Sequence, residues 1–244
     1  LIWWFPIPKG YLKKIFFASL IANTLQYSIT YTGLNYIDAS AAVLLVQTEV
    51  PFGVIFAFFM LKEKPTIRAL IGIAIAFVGV YILTGSPNLE GKFFGISLTI
   101  IGSAIWALGQ VIVKPLSKEI NPLALVAWLA LFSGPLLIAL SSIIDGDTIK
   151  YLSEAKFDHW IIAFYIGFIM QPVTYGCFYY VLKNNPLYKV LPIVTMGIPP
   201  TGLLAAIFLL GEKPTQELFI GGAIIIVGVI LIVFTKNKTE EVEK

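Results

Sequence analysis

The sequence predicts an all-α, polytopic membrane protein built from two copies of one helical unit, and three observations carry that reading. First, 58% of the 244 residues are hydrophobic and 13% are charged, with a mean hydropathy of +0.87. Too little polar surface remains to cover a soluble domain. Second, eight stretches are apolar over about 20 residues, the helical length that crosses a hydrocarbon core about 30 Å thick. Third, residues 51–80 recur at 200–229 with a constant offset of 212 − 63 = 149. Pro51, Gly53, Ala57, Phe59, Leu61, Glu63-Lys64-Pro65-Thr66, Ile71, Gly72, Ala74, Ile75, Val78, Gly79 and Val80 all reappear, 16 identities in 30 positions. An odd number of spans separates the copies, so they are expected to cross the bilayer in opposite directions with a cavity where the halves meet.

The expected spans are 12–36, 39–61, 66–84, 93–114, 122–144, 159–182, 187–210 and 215–234. Each ends at a Pro, Gly or charged cluster: Lys62-Glu63-Lys64-Pro65, Ser86-Pro87-Asn88, Asn121-Pro122, Asp145-Gly146-Asp147, Asn184-Asn185-Pro186 and Gly211-Glu212-Lys213-Pro214. Residues 145–158 form the longest polar break and are expected to be the one sizeable loop. The opening Leu1-Ile2-Trp3-Trp4-Phe5-Pro6-Ile7-Pro8 is apolar but too short to span, and reads as the end of a helix. Applying the offset, the partners of 93–114 and 122–144 would begin at 93 − 149 = −56 and 122 − 149 = −27. The parent fold is therefore expected to have ten helices in two inverted five-helix repeats. Eight full helices are expected here, with the first and most of the second expected to be missing. The expected domains are 1–84, a truncated first repeat, 93–234, a second repeat, and 235–244, a polar cytoplasmic tail.

Alternate threading places Lys9, Lys13, Lys14, Lys62, Lys64, Arg68, Lys114, Lys118, Lys183, Lys189, Lys236, Lys238 and Lys244 on one face. Lys92, Lys150, Lys156 and Lys213 fall on the other. The positive-inside bias makes the first face cytoplasmic, with the C-terminus inside. The two Glu-Lys-Pro-Thr turns then lie on opposite faces.

Glu49 is the acidic residue deep within a span, where a charge costs about 2.5–3.5 kcal/mol on insertion scales. Two readings stand: a substrate-binding or proton-coupling carboxylate, or a buried structural acid beside the kink at Pro51. Pro51 lacks an N–H and is expected to free the carbonyl of Gln47. Ile198 occupies the equivalent position in the second copy, so the duplication does not itself require an acid.

Asn23, Gln26, Tyr27, Thr30 and Tyr31 recur at steps of three and four along 12–36, and Gln171, Tyr175 and Tyr179 do so along 159–182. The offset pairs Gln26 with Tyr175, Thr30 with Tyr179 and Tyr31 with Tyr180. Two walls of one cavity are expected, the alternative being interhelical hydrogen bonds and interfacial tyrosines. Gln47, Trp106, Gln110 and Thr195 are further candidates for the lining. Lys114 is expected to snorkel to lipid headgroups and Trp128 to pack. Pro192, Pro199 and Pro200 should bend 187–210 and expose carbonyls. Gly72 and Gly79, repeated as Gly221 and Gly228, imply close helix packing, on peripheral supports or at a homodimer contact. Cys177 and His159 stand alone, so no disulfide or metal site is expected, and the sequence suggests no cofactor and no nucleic-acid partner.

Several of these residues together resemble the EamA-type transporters of the drug/metabolite transporter superfamily, over the whole chain. Leu44-Leu45, Glu49, Pro51-Phe52 and Lys62-Glu63 are similar to the family's fourth helix. Lys62 replaces its usual Gly, and Val50 stands between Glu and Pro. Trp106-Ala107 resembles the sixth helix, Asn121-Pro122 with Trp128 the start of the seventh, and Pro192, Gly211-Glu212, Gly221 and Gly228 the ninth and tenth. The resemblance implies a secondary active transporter in the plasma membrane, working by alternating access. Its cargo would be small metabolites, amino acids or drug-like solutes, carried in many members outward and with protons. A channel or a scaffold is the alternative reading. An intramembrane enzyme is disfavoured, because the sequence has no His-Glu-x-x-His, no Gly-x-Ser-x-Gly and no paired mid-membrane aspartates.

Overall fold

A computed structural model describes residues 7, 10–144, 146, 148–195 and 197–233. The expected tail at 235–244 and, apart from Ile7, the opening residues 1–8 lie outside them. Among the described residues all regular structure is helical. Eight long helical runs follow in order: α1 (12–34), α2 (Ala39–Leu61), α3 (Ile67–Thr84), α4 (Phe93–Glu119), α5 (Pro122–Ile144), α6 (Phe157–Asn184), α7 (Leu187–Leu210) and α8 (Gln216–Val233). Six of them, α2 to α7, are long and apolar enough to cross a membrane. The chain is thus a multi-pass membrane protein. The polar stripe of α1 keeps that run out of the six, and the apolar part of α8 is shorter.

Two expectations about boundaries change. α4 continues past Lys114 through Pro115 to Glu119, because a proline costs a helix one hydrogen bond and a local bend but does not oblige it to stop. The 145–158 loop contains a short helix, Thr148–Glu154.

The chain divides into two compact units. The first comprises residues 1–28 and 112–185, and in it the start of α1 and the body of α6 pack on α5. Ser19 Oγ donates to the Leu129 carbonyl at 2.9 Å, and Phe16 meets Phe132 edge-on with centroids 5.6 Å apart. α6 approaches α5 closely at Gly176, where a Cβ would lie 2.8 Å from a Leu123 methyl. Lys114, expected at the lipid headgroups, is 8% exposed and packs within the protein.

The second unit comprises residues 29–111 and 186–244. Two of its helices, α2 and α7, are broken. α2 divides into Ala39–Val46 and Glu49–Leu61, and α7 into Leu187–Thr195 and Ile198–Leu210. The first half of each packs on the second half of the other. Pro51 explains the break in α2, but the Gln47 carbonyl is not left free: it accepts from the Val50 amide at 3.1 Å, a tighter local turn.

The repeated Glu-Lys-Pro-Thr turn has a physical reason in this unit. α2 ends with Lys62 in the left-handed region at φ 57°, and α7 with Gly211 at φ 68°. The following amides, of Glu63 and Glu212, return to the carbonyls of Ala57 and Ala206 at 3.2 and 3.1 Å. The Glu63 carboxylate then accepts from the Leu187 and Tyr188 amides at 3.1 and 3.3 Å, at the start of α7. Glu212 accepts from the Ala39 and Ser40 amides at 2.8 and 2.9 Å, at the start of α2. Each carboxylate satisfies amide donors that a helix start leaves without intrahelical partners, and sits where the helix dipole favours negative charge. Thr66 and Thr215 accept from the Ala69 and Leu218 amides, both at 3.4 Å, and so open α3 and α8.

α3 and α8 pack along their repeated glycines. A Cβ on Gly72 would lie 2.5 Å from the Gly228 carbonyl oxygen, and one on Gly79 2.7 Å from that of Gly221. Only glycine admits this backbone-to-backbone approach. These glycine faces therefore meet within one chain.

Candidate functional site

α1 and α6 share an irregularity that the sequence did not signal. In α1 an eight-residue α-helix, Leu12–Ser19, passes into a six-residue π-turn, Leu20–Leu25, and resumes as α-helix at Gln26. In α6 the same succession reads Phe157–Phe164, Tyr165–Met170 and then Gln171. A π-turn carries one extra residue per turn, so it rotates the following helix about its axis and interrupts the regular backbone ladder. The matching segments lie 171 − 26 = 145 apart, four fewer than the sequence offset. By these boundaries Gln26 stands where Gln171 does, whereas the offset of the repeated turn pairs Gln26 with Tyr175. The final α-segment of α6 is longer, 14 residues against nine in α1.

The two π-turn helices and α5 enclose a cavity of about 240 Å³ in the first unit. Asn23 and Tyr27 line it from α1, Gln171, Tyr175 and Tyr179 from α6, and Ser133 from α5. Gln171 Nε2 donates to the Tyr27 hydroxyl at 3.1 Å, and Asn23 Nδ2 to Ser133 Oγ at 3.4 Å. The rings of Tyr175 and Tyr179 lie 5.8 Å apart at 52°. Five of the expected lining residues therefore meet at one place. α5 is the wall that sequence reasoning missed; Ser133-Gly134, a small polar pair mid-span, was the available signal. The lining is amide, hydroxyl, aromatic and aliphatic, with no charged side chain. Such a surface can orient a solute by hydrogen bonds and ring stacking, and holds no group placed for covalent or acid–base chemistry.

The remaining candidates lie outside this cavity. Gln26 is buried and Tyr31 is 60% exposed. Gln47 and Thr195 meet in the second unit, where Gln47 Nε2 donates to the Thr195 carbonyl at 3.3 Å across the two helix breaks. The Oε1 atoms of Gln47 and Gln110 are buried without a hydrogen-bond partner. Trp106 is 9% exposed. Glu49 opens the second half of α2, is 5% exposed, and its carboxylate has no hydrogen-bond or ion-pair partner among the described residues. A buried acid at a mid-membrane break is costly unless it is neutral or solvated. Trp128 packs on Phe132 at 5.9 Å, as expected of a wall residue with a structural role. His159 accepts from the Lys156 amide at 3.2 Å, a helix-start contact.

Comparison with known proteins decides the family, since the EamA-like transporter family profile matches residues 1–85 and 93–234. The chain belongs to the EamA-like transporter family. A probable amino-acid metabolite efflux pump of Escherichia coli strain K12 is 28% identical over 236 residues, covering 93% of this chain and 78% of its own length. An uncharacterized transporter of Clostridium kluyveri is 26% identical over 243 residues, covering 96% and 75%. One solved crystal structure shares the fold with a TM-score of 0.66 at 15% identity, over 95% of this chain and 78% of its own. The EamA-like chain is a membrane transporter and not an enzyme, as the family and its relatives' names agree.

Proposed function

We propose that this protein is a secondary active exporter of a small uncharged or zwitterionic metabolite, of the amino-acid class, held in the cavity between α1, α5 and α6. The observation that supports this most is the cavity itself, in which two π-turn helices bring Asn23, Tyr27, Gln171, Tyr175 and Tyr179 together without a charged side chain. A solute with net charge would leave its charge unpaired there, whereas a zwitterion can satisfy both ends on amides and hydroxyls. At about 240 Å³ the space is below the range of about 300–1,000 Å³ common for drug-sized ligands, which favours a small metabolite. The E. coli relative's name, a probable amino-acid metabolite efflux pump, agrees with this class.

In this proposal the chain works by alternating access in the plasma membrane, its two repeats 1–84 and 93–234 inverted and its C-terminus cytoplasmic. Glu49 is the proton-coupling carboxylate, a role supported by its burial and lack of partner. The test is counterflow of labelled amino acids into proteoliposomes holding the full chain. Tyr27→Phe and Gln171→Ala should each weaken apparent affinity about tenfold, and the double variant should be little worse than either, because both remove one hydrogen bond. Counterflow that is absent for every amino acid, or unchanged in both variants, refutes the proposal. Flux that follows the gradient without counterflow would mark a channel.

A further inference from the structure

A second cavity, of about 580 Å³, lies in the first unit away from the one above. Tyr11, Lys13, Lys14 and Phe17 line it from the beginning of α1, and Ile112, Pro115, Leu116 and Glu119 from the end of α4. The two helix ends share one face of the membrane, the face on which the sequence collects most of its lysines. Ends of spanning helices lie at headgroup depth, so this opening meets the lipid where phosphate is concentrated.

We propose that this cavity binds the headgroup of an anionic phospholipid carrying hydroxyl groups, with phosphatidylglycerol as the fitting chemistry. Lys13 and Lys14 are exposed, and neither forms an ion pair with a carboxylate among the described residues. Lys14 Nζ lies 5.0 Å from the Tyr11 ring centroid, which holds one ammonium at the rim. Two ammonium groups on neighbouring residues of one helix start suit a single phosphate diester. Glu119, on the opposite wall, disfavours a bare polyanion and can accept from glycerol hydroxyls. Phe17, Ile112 and Leu116 supply the apolar surface on which the glycerol backbone and the first acyl carbons would rest. Pro115 adds to this surface without an amide donor that would need a partner there. The site rests on its own residues and shares none with the proposed solute cavity.

The test uses the full chain in detergent, titrated with phosphatidylglycerol or with phosphatidylcholine, read by native mass spectrometry and by the melting temperature. Phosphatidylglycerol should be retained and should raise the melting temperature more than phosphatidylcholine does. The double variant K13Q/K14Q should weaken phosphatidylglycerol binding about tenfold and cancel that difference. K150Q/K156Q, altering lysines away from the cavity, should leave it intact, and because all four positions are outside the cores, both variants should fold. Equal retention of the two lipids overturns the proposal. So does unchanged binding in K13Q/K14Q, or an equal loss in K150Q/K156Q, which would mean general surface charge. Inorganic phosphate competing as well as the lipid would also overturn it, since the apolar wall would then contribute nothing.

Discussion

Replacing Glu212 with Gln removes a charge while keeping one acceptor at the start of α2. In the wild type both carboxylate oxygens are engaged, by the Ala39 amide at 2.8 Å and the Ser40 amide at 2.9 Å. Partial burial pushes the carboxyl upward, but hydrogen bonds from the Ser40 hydroxyl and amide and the Ala39 amide, with the nearby Lys92 ammonium, outweigh it. The group titrates below its ordinary value. Loss of a helix-start acceptor costs about 0.5–2 kcal/mol and loss of the favourable charge at the dipole about 0.3–1 kcal/mol. Solvent screening at this partly exposed turn places the sum at about 1 kcal/mol for Glu212→Gln and nearer 2 kcal/mol for Glu212→Ala. In a chain of this size that is a fall in melting temperature of about 2–4 °C per kcal/mol. The equivalent Glu63→Gln should fall by less, because its contacts at 3.1 and 3.3 Å are longer. A carboxyl whose folded-state pKa is depressed contributes stability above its unfolded pKa and loses it as pH falls through the folded value. The gap between wild type and Glu212→Gln should therefore hold above about pH 5.5 and close as the pH falls through the ordinary carboxylate value of about 4.3 and below. The assay is thermal unfolding of the purified full chain across this pH range. A gap that widens on acidification, or a larger loss for Glu63→Gln than for Glu212→Gln, refutes the reasoning.

Three further outcomes are expected. Lys62→Gly relieves a left-handed lysine worth about 1–2 kcal/mol against an unfolded-state entropy cost of about 0.4–1 kcal/mol, so the melting temperature should rise by about 1–4 °C; a fall would show that Lys62 has a stabilising contact. Gly79→Ala forces a Cβ to within 2.7 Å of the Gly221 carbonyl oxygen and should cost about 1–3 kcal/mol by thermal unfolding, whereas Gly134→Ala, with open space around it, should be near neutral. Deleting Gly167 removes the one extra residue of the α6 π-turn, so the helix becomes regular with Gln171, Tyr175 and Tyr179 still facing the cavity: the chain should fold in size-exclusion and melting assays and keep transport within about tenfold, and a larger loss would show that the π-turn itself serves transport.

Much of the architecture was legible in residue chemistry. Pro, Gly and charge clusters end apolar stretches for reasons local to the backbone, so the helical runs were placed within a few residues, except where α4 runs through Pro115. The glycines at 72, 79, 221 and 228 announced a close approach, because no other residue leaves room for one. The stripes on α1 and α6 were also visible, since helical periodicity is written in the sequence. Less legible was which polar residues would share a space. Tyr31 and Gln26 continue the stripe of Asn23 and Tyr27 but do not line the cavity: Gln26 is buried elsewhere and Tyr31 is exposed, because a helical stripe is wider than the one surface that meets α5 and α6.

Sequence by itself determined that this chain lies in a membrane, that it is helical, that one turn occurs twice, and that it resembles EamA-type transporters. Those are properties of composition, period and identity, each decided by residues near one another in the chain. Tertiary structure alone decided that Glu63 and Glu212 each cap the start of a helix about 125 and 170 residues away, that α3 and α8 use their glycines on each other, and that α5 closes a cavity with two π-turn helices. Those arrangements depend on which surfaces meet, and a helix carries no local record of the partner that will bury its face.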